Sequence, residues 1–231
     1  MRRLITVCAV VACASLAAAG TASAAPAWAP AATAPVHPGV QTITNGGQCT
    51  SNFVFYDGAS QPGTMVYSSW ATMQGNGEAD ADTCQYNDLA IVKLNAADYS
   101  KVNPSIPFWG GPTGLTDTVA QGDKVLSYGN SSLRQGITQL SPKQGLSLGQ
   151  DSGGWNHTVY TASPGIPGDS GSAFMDAQGR AFGVLSTLQV APLPGGNGVG
   201  DVSREIAYMK SHGGPDLTLA QGTEPFTGPL L

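Results

Sequence analysis

From Val40 onward, short runs of apolar and β-branched residues alternate with Gly, Pro, Asn and Asp, at residues 52–56, 64–69, 89–94, 124–128, 157–160, 173–175 and 182–187. Runs of this length with turn residues between them predict an all-β sandwich or barrel. One segment, Val202–Ser211 (VSREIAYMKS), has helical spacing and stops at His212-Gly213-Gly214, as a helix ended by a glycine cap does. The N-terminus is patterned differently. Arg2 and Arg3 precede an apolar stretch over 4–19 and the small residues Ala22-Ser23-Ala24, which together read as an export signal over 1–24. Residues 25–39 are rich in Ala and Pro without apolar periodicity and read as a linker or short pro-segment, leaving 40–231 as the folded unit.

Composition narrows the picture. Charged residues make up only 11% of the chain, with Gly, Ser and Thr in their place, which suits many short strands and tight turns. Loss of Arg2 and Arg3 with the signal would take the formal charge from −5 to −7, and no basic cluster remains. Nucleic acid and anionic membranes are therefore not expected as partners. No later stretch is apolar for the ~18 residues of a membrane span, so the expectation is a secreted, extracellular protein, free of the membrane after signal cleavage and monomeric. Cys8 and Cys13 leave with the signal, and Cys49 and Cys84 remain in an oxidising compartment as disulfide candidates. His37, His157 and His212 lie far apart with no metal-ligand spacing, so neither metal nor cofactor is expected.

The strongest chemical signal is Pro167-Gly168-Asp169-Ser170-Gly171-Ser172-Ala173. Glycines here permit a tight turn that exposes a serine Oγ, while the N–H groups of Gly168 and Ser170 can converge on one point as an oxyanion hole. A Gly-rich chain can also make such an Asp-Ser turn without any chemistry. Three further stretches bear on the choice. Gly183-Val184-Leu185-Ser186-Thr187 begins thirteen residues after Ser170, Asn197-Gly198-Val199-Gly200-Asp201-Val202 leads into the helix, and Asp88-Leu89-Ala90-Ile91-Val92-Lys93-Leu94 lies upstream. In order and spacing, these stretches and the Gly-Asp-Ser-Gly motif resemble the chymotrypsin-like serine proteases from about Thr42 to Met209. The resemblance implies a double β-barrel with a C-terminal helix, the first barrel at about 40–115 and the second at about 116–213. It implies hydrolysis of a polypeptide substrate by Ser170 as nucleophile, with Asp88 orienting the base. It also implies a specificity pocket built from Pro164, Ser186, Thr187 and Gly198. Proline at position 164 argues against cleavage after Arg or Lys, since no carboxylate stands there.

The general base is missing from this set. The family places its histidine before Asp88, shortly after the position of Cys49, but Asp57-Gly58-Ala59-Ser60-Gln61-Pro62-Gly63-Thr64 follows instead. Only 38 residues separate Cys49 from Asp88, so the first barrel is expected to be truncated by loss of an internal block near 57–60. The cysteine that normally follows the histidine has gone with it, which leaves Cys49 and Cys84 to pair with each other. None of the three histidines is an evident substitute. His37 lies in the Pro-rich stretch, His157 on a strand that would pack it on the sheet, and His212 at the helix end, where a cation suits the last carbonyls. A serine hydroxyl is a weak nucleophile without a base. The expectation is an impaired secreted endopeptidase, the alternatives being a catalytically inactive peptide-binding homologue or a truncated gene product.

Overall fold

In the computed structural model, residues 27–44, 46–58, 61–62, 75, 77–189 and 194–230 are described. The chain folds as expected around alternating strands. Six of them close into an antiparallel barrel: β6 (Lys124–Tyr128), β7 (Pro142–Asp151), β8 (Asn156–Thr161), β9 (Ala173–Asp176), β10 (Arg180–Leu188) and β11 (Gly196–Asp201). The strands run in the order β11-β8-β7-β6-β9-β10, and a β10–β11 pairing shuts the ring. Period-2 alternation sorts the side chains between the two faces of each strand. Val125, Val159, Phe174, Phe182, Leu185 and Val199 make one buried cluster. Leu126, Ala173 and Met175, from the opposite face of β6 and β9, pack instead against Ile106 and Trp109. The barrel is therefore coated on one side by the rest of the chain.

Among the described residues, the other half contributes shorter strands. A hairpin of β1 (Gln41–Thr44) and β2 (Gly47–Thr50) stands beside a three-stranded sheet with the order β12-β3-β4, built from β3 (Phe55–Asp57), β4 (Gln61–Pro62) and β12 (Leu217–Leu219). Strand β5 (Gly114–Leu115) adds in parallel to the start of β10. The all-β double-barrel class with a C-terminal helix, expected from the resemblance, is the observed architecture. The helix α2 (Val202–Ser211) has the expected limits, with Asp201 accepting from the Arg204 N–H at its start and His212 as its C-cap. A shorter helix, α1 (Ala81–Tyr86), was not anticipated.

Two expectations fail at the level of elements. Residues 89–94 form no strand among the described residues, although Leu89 and Ile91 are buried and Ala90 and Val92 are exposed. The alternation is real, but it serves packing onto α2 and β12 rather than a ladder. Residues 29–39, expected outside the fold, lie against it: Ala29 N–H and Val36 N–H donate to Val102 O and Lys101 O, and Ala34 is buried. The expected run at 64–69 lies outside the described residues.

The C-terminal chain returns across the molecule. After α2, β12 pairs with β3 (Leu219 opposite Phe55). Its Leu217 and Leu219 join Phe55, Leu89, Ile91, Ala181, Val184, Val202 and Ile206 in one buried cluster. Beyond it, Gly222 N–H donates to Pro112 O and Thr227 N–H to Trp109 O, while Phe226 packs against the Ile106–Trp109 cluster.

Candidate active site

The segment Pro164–Ala173 connects β8 to β9, and its hydrogen bonds define a rigid turn. Asp169 N–H donates to Ile166 O, and Ser172 N–H to Asp169 O, both at 2.9 Å. Gly171 N–H reaches Leu185 O of β10 at 2.7 Å, and Leu185 N–H returns to Ser172 O at 2.9 Å. From the other half, Thr50 at the end of β2 donates its N–H to Ser170 O at 2.7 Å and its hydroxyl to Gly168 O at 2.8 Å. Gly168 and Gly171 have φ of 95° and 87°, and a Cβ at Gly171 would stand 2.4 Å from Thr50 O. Glycine is therefore required there for conformation and for space.

Two backbone donors in this turn have no acceptor among the described residues, the N–H groups of Gly168 and Ser170. They flank Ser170, a half-buried residue whose Oγ has no hydrogen-bond partner among them either.

Asp169 anchors the turn from inside. Its carboxylate is fully buried and accepts from Ser131 N–H at 2.9 Å and Ile166 N–H at 3.1 Å. It is ion-paired with the guanidinium of Arg134, and Lys143 Nζ sits 3.0 Å from Oδ2. Burial pushes the Asp169 carboxyl up, but the Arg134 bond and the Lys143 charge outweigh it and hold its pKa below the usual carboxylate range. Burial also lowers the Lys143 ammonium, partly offset by Asp169. Neither cation was identified in the sequence, where Lys143 lies in the polar run Ser141-Pro142-Lys143-Gln144-Gly145 and no local pattern marks it as buried.

Asp88 follows α1 and is exposed, its Oδ2 accepting from the Ser186 hydroxyl at 2.7 Å. Ser186 is the residue after Leu185, so the serine turn and Asp88 are tied to neighbouring residues of one strand. Asp88 N–H is shared between Tyr86 O and the buried carboxyl group of Glu205 on α2, each at 3.0 Å.

The pocket candidates are partly assembled. Thr187 and Gly198 are cross-strand partners on β10 and β11. The buried Asn197 accepts from Gly165 N–H at 2.8 Å and donates to Thr187 O at 3.2 Å, tying the Pro164–Gly165 wall to the Thr187 wall. Pro164 O accepts from Arg134 at 3.1 Å, and Ser186 is engaged by Asp88 instead.

None of the histidines is hydrogen-bonded to Ser170 or Asp88. His157 is fully buried, with Nε2 3.0 Å from Asp201 Oδ2 and its ring edge-on to Phe182. His212 stacks on Tyr208 with its Nδ1 2.8 Å from Tyr208 O. His37 Nδ1 lies 2.6 Å from Pro38 O. The Cys49–Cys84 bridge is a correction, since both cysteines are free thiols. Cys49 is exposed on β2 beside the serine turn, whereas Cys84 is buried on α1, which packs against the turn at 152–154. The Cys84 thiol is turned to Glu78 O at 3.7 Å, whereas Cys49 stands in solvent. No group of three potential metal ligands occurs among the described residues.

A trypsin-like peptidase domain model matches residues 4–184. Among solved structures, the chain is similar to protease A of Thermobifida fusca, with 17% identity, a TM-score of 0.55 and coverage of 81% of this chain and 99% of that one. It is also similar to a glutamic-acid-specific serine protease described as using a histidine triad in substrate binding. There the identity is 14%, the TM-score 0.52, and the coverage 80% of this chain and 100% of that one. No curated protein sequence matches the chain.

Proposed function

Because the chain belongs to the trypsin-like peptidase family, we propose that it is a secreted, monomeric serine peptidase homologue that binds polypeptide and acylates slowly at Ser170 for want of a built-in base. The observation that carries this reading is the serine turn itself: the Ser170 hydroxyl and the N–H groups of Gly168 and Ser170 have no hydrogen-bond partner among the described residues. That arrangement suits attack by Oγ on a peptide carbonyl, with the developing oxyanion taken up by the two donors. The hydroxyl proton passes to solvent or a buffer base. The tetrahedral intermediate then expels the amine as its nitrogen takes a proton from solvent or the buffer acid, and water hydrolyses the ester to the free acid and the Ser170 hydroxyl. Asp88, held by Ser186, stands as the acid that would orient an imidazole, and Thr187, Gly198 and Pro164 line the side-chain slot.

The consequence of lacking a base is large. Removing the histidine from the triad of subtilisin costs about 10⁶-fold in turnover, while about 10³- to 10⁴-fold over water survives from the oxyanion hole and binding. A fluorophosphonate probe tests the reading. Labelling at Ser170 is expected to be slow, to accelerate with added free imidazole, and to vanish in Ser170→Ala. An absence of labelling with and without imidazole would sink the enzymatic reading and leave a peptide-binding homologue, which titration with an unstructured peptide would then detect.

A further inference from the structure

Glu205 is a second deeply buried carboxyl group near the candidate site, at 1% exposure, and unlike Asp169 it is paired with no cation among the described residues. Its Oε1 accepts from Asp88 N–H at 3.0 Å, while Oε2 has no hydrogen-bond partner among the described residues. The groups around it are acidic. Asp88 faces it from the loop after α1, and Asp201 from the junction of β11 and α2. Behind Asp201 stands His157 of β8, whose Nε2 is spent on Asp201 Oδ2. The neighbouring cation, Arg204, turns the other way, over the Trp155 ring and onto Gly153 O. Space for the carboxyl is provided by Gly200, where a Cβ would come within 2.5 Å of Oε1.

We propose that Glu205 is a positioning residue for Asp88: an uncharged carboxylic acid that grips the Asp88 main chain from the interior and so sets where its carboxylate meets Ser186. A charged carboxylate with one donor, no cation and two acidic neighbours would be left largely unsolvated. Burial, with Asp88 and Asp201 acting in the same sense, raises the Glu205 pKa well above the usual carboxylate range. Glu205 ionisation therefore sets an alkaline limit on the Asp88–Ser186 arrangement. The functional part of this inference rests on reading Asp88 as the orienting acid; the structural part does not.

The test follows the Asp88 amide by ¹H–¹⁵N spectroscopy of the whole protein across pH. In the wild type the amide is expected to show a titration step above the ordinary carboxylate range. In Glu205→Gln, which keeps the acceptor oxygen without a titrating proton, that step disappears and the amide stays in its hydrogen-bonded position. In Glu205→Ala, with Tyr86 O left as its acceptor, the amide shifts from the wild-type position and exchanges faster. A wild-type amide whose pH profile matches that of Glu205→Gln would overturn the proposal, and so would an Asp88 amide in Glu205→Ala with the wild-type position and exchange rate. If the alanine variant does not fold, the glutamine comparison decides alone. Fluorophosphonate labelling separates the two readings, because loss of labelling in the wild type refutes the role of Asp88 and leaves the amide titration as it was.

Discussion

Asp169 shows how much can depend on one side chain. Two cations and two backbone N–H groups converge on a fully buried carboxylate, and through it on the residue that follows, Ser170. Removing one partner of a buried ion pair leaves an uncompensated charge and costs about 3–5 kcal/mol, whereas a well-packed apolar replacement can be neutral. Asp169→Asn is therefore expected to destabilise the protein by about 3–5 kcal/mol in urea melts, and Lys143→Met by much less, because Arg134 still pairs the carboxylate. Equal losses in the two variants would contradict this. The pH dependence has a definite sign. The folded pKa of Asp169 is depressed, so its stabilisation is present above the unfolded carboxylate pKa and is lost as pH falls through the folded value. Glu205 acts oppositely: with its folded pKa raised, stability is full below the unfolded carboxylate pKa and declines as pH rises through the folded value. Glu205→Gln should flatten that decline, leaving the variant progressively more stable than the wild type from acidic to neutral pH. The cysteines give a simpler check. With a thiol reagent Cys49 reacts in the native protein and Cys84 only after unfolding, since Cys84 is buried and its pKa is pushed up by burial, with Glu78 and Asp80 adding to the shift.

At the scale of elements, the serine turn is held by two partners: β10 through Gly171 and Ser172, and the β1–β2 hairpin through Thr50. Gly171→Ala combines a positive φ with a 2.4 Å approach to Thr50 O, and relief requires moving the hairpin or the turn. A loss of more than about 2 kcal/mol in chemical denaturation and the end of probe labelling are expected; full labelling would show that hairpin and turn are independent. The turn was legible because Gly-Asp-Ser-Gly carries its conformational requirement in its own residue types. Strand β7 was not. Its sequence Pro-Lys-Gln-Gly-Leu-Ser-Leu-Gly-Gln-Asp has weak β character, and Lys143 and Ser147 are buried in it while Leu146 is exposed. Its place comes from pairing on both sides with β6 and β8, which no local pattern reports.

For the molecule as a whole, the far end of the chain adds a strand to the smaller sheet. Leu217 and Leu219 fill a cluster shared between β3, α2 and β10, and β12 covers an edge of β3 that would otherwise be unpaired. Replacing both leucines with alanine should cost at least about 4 kcal/mol, at about 2–5 for each buried leucine, a large share of the 5–15 kcal/mol that holds a typical domain together. A circular-dichroism melt would record this as a lowered or lost cooperative transition. An unchanged midpoint would show that the C-terminal segment is dispensable.

By itself the sequence determined the β class, the helix Val202–Ser211 and the serine turn. Each is carried by short-range rules: alternation, capping and glycine at fixed offsets. Only the tertiary structure decided that Lys143 and Arg134 hold Asp169, that Glu205 grips Asp88, that the cysteines stay apart and that the C-terminal chain closes on β3. These contacts join residues distant along the chain. Their energies come from burial and from charges brought together away from water, which exist only once the barrel has closed.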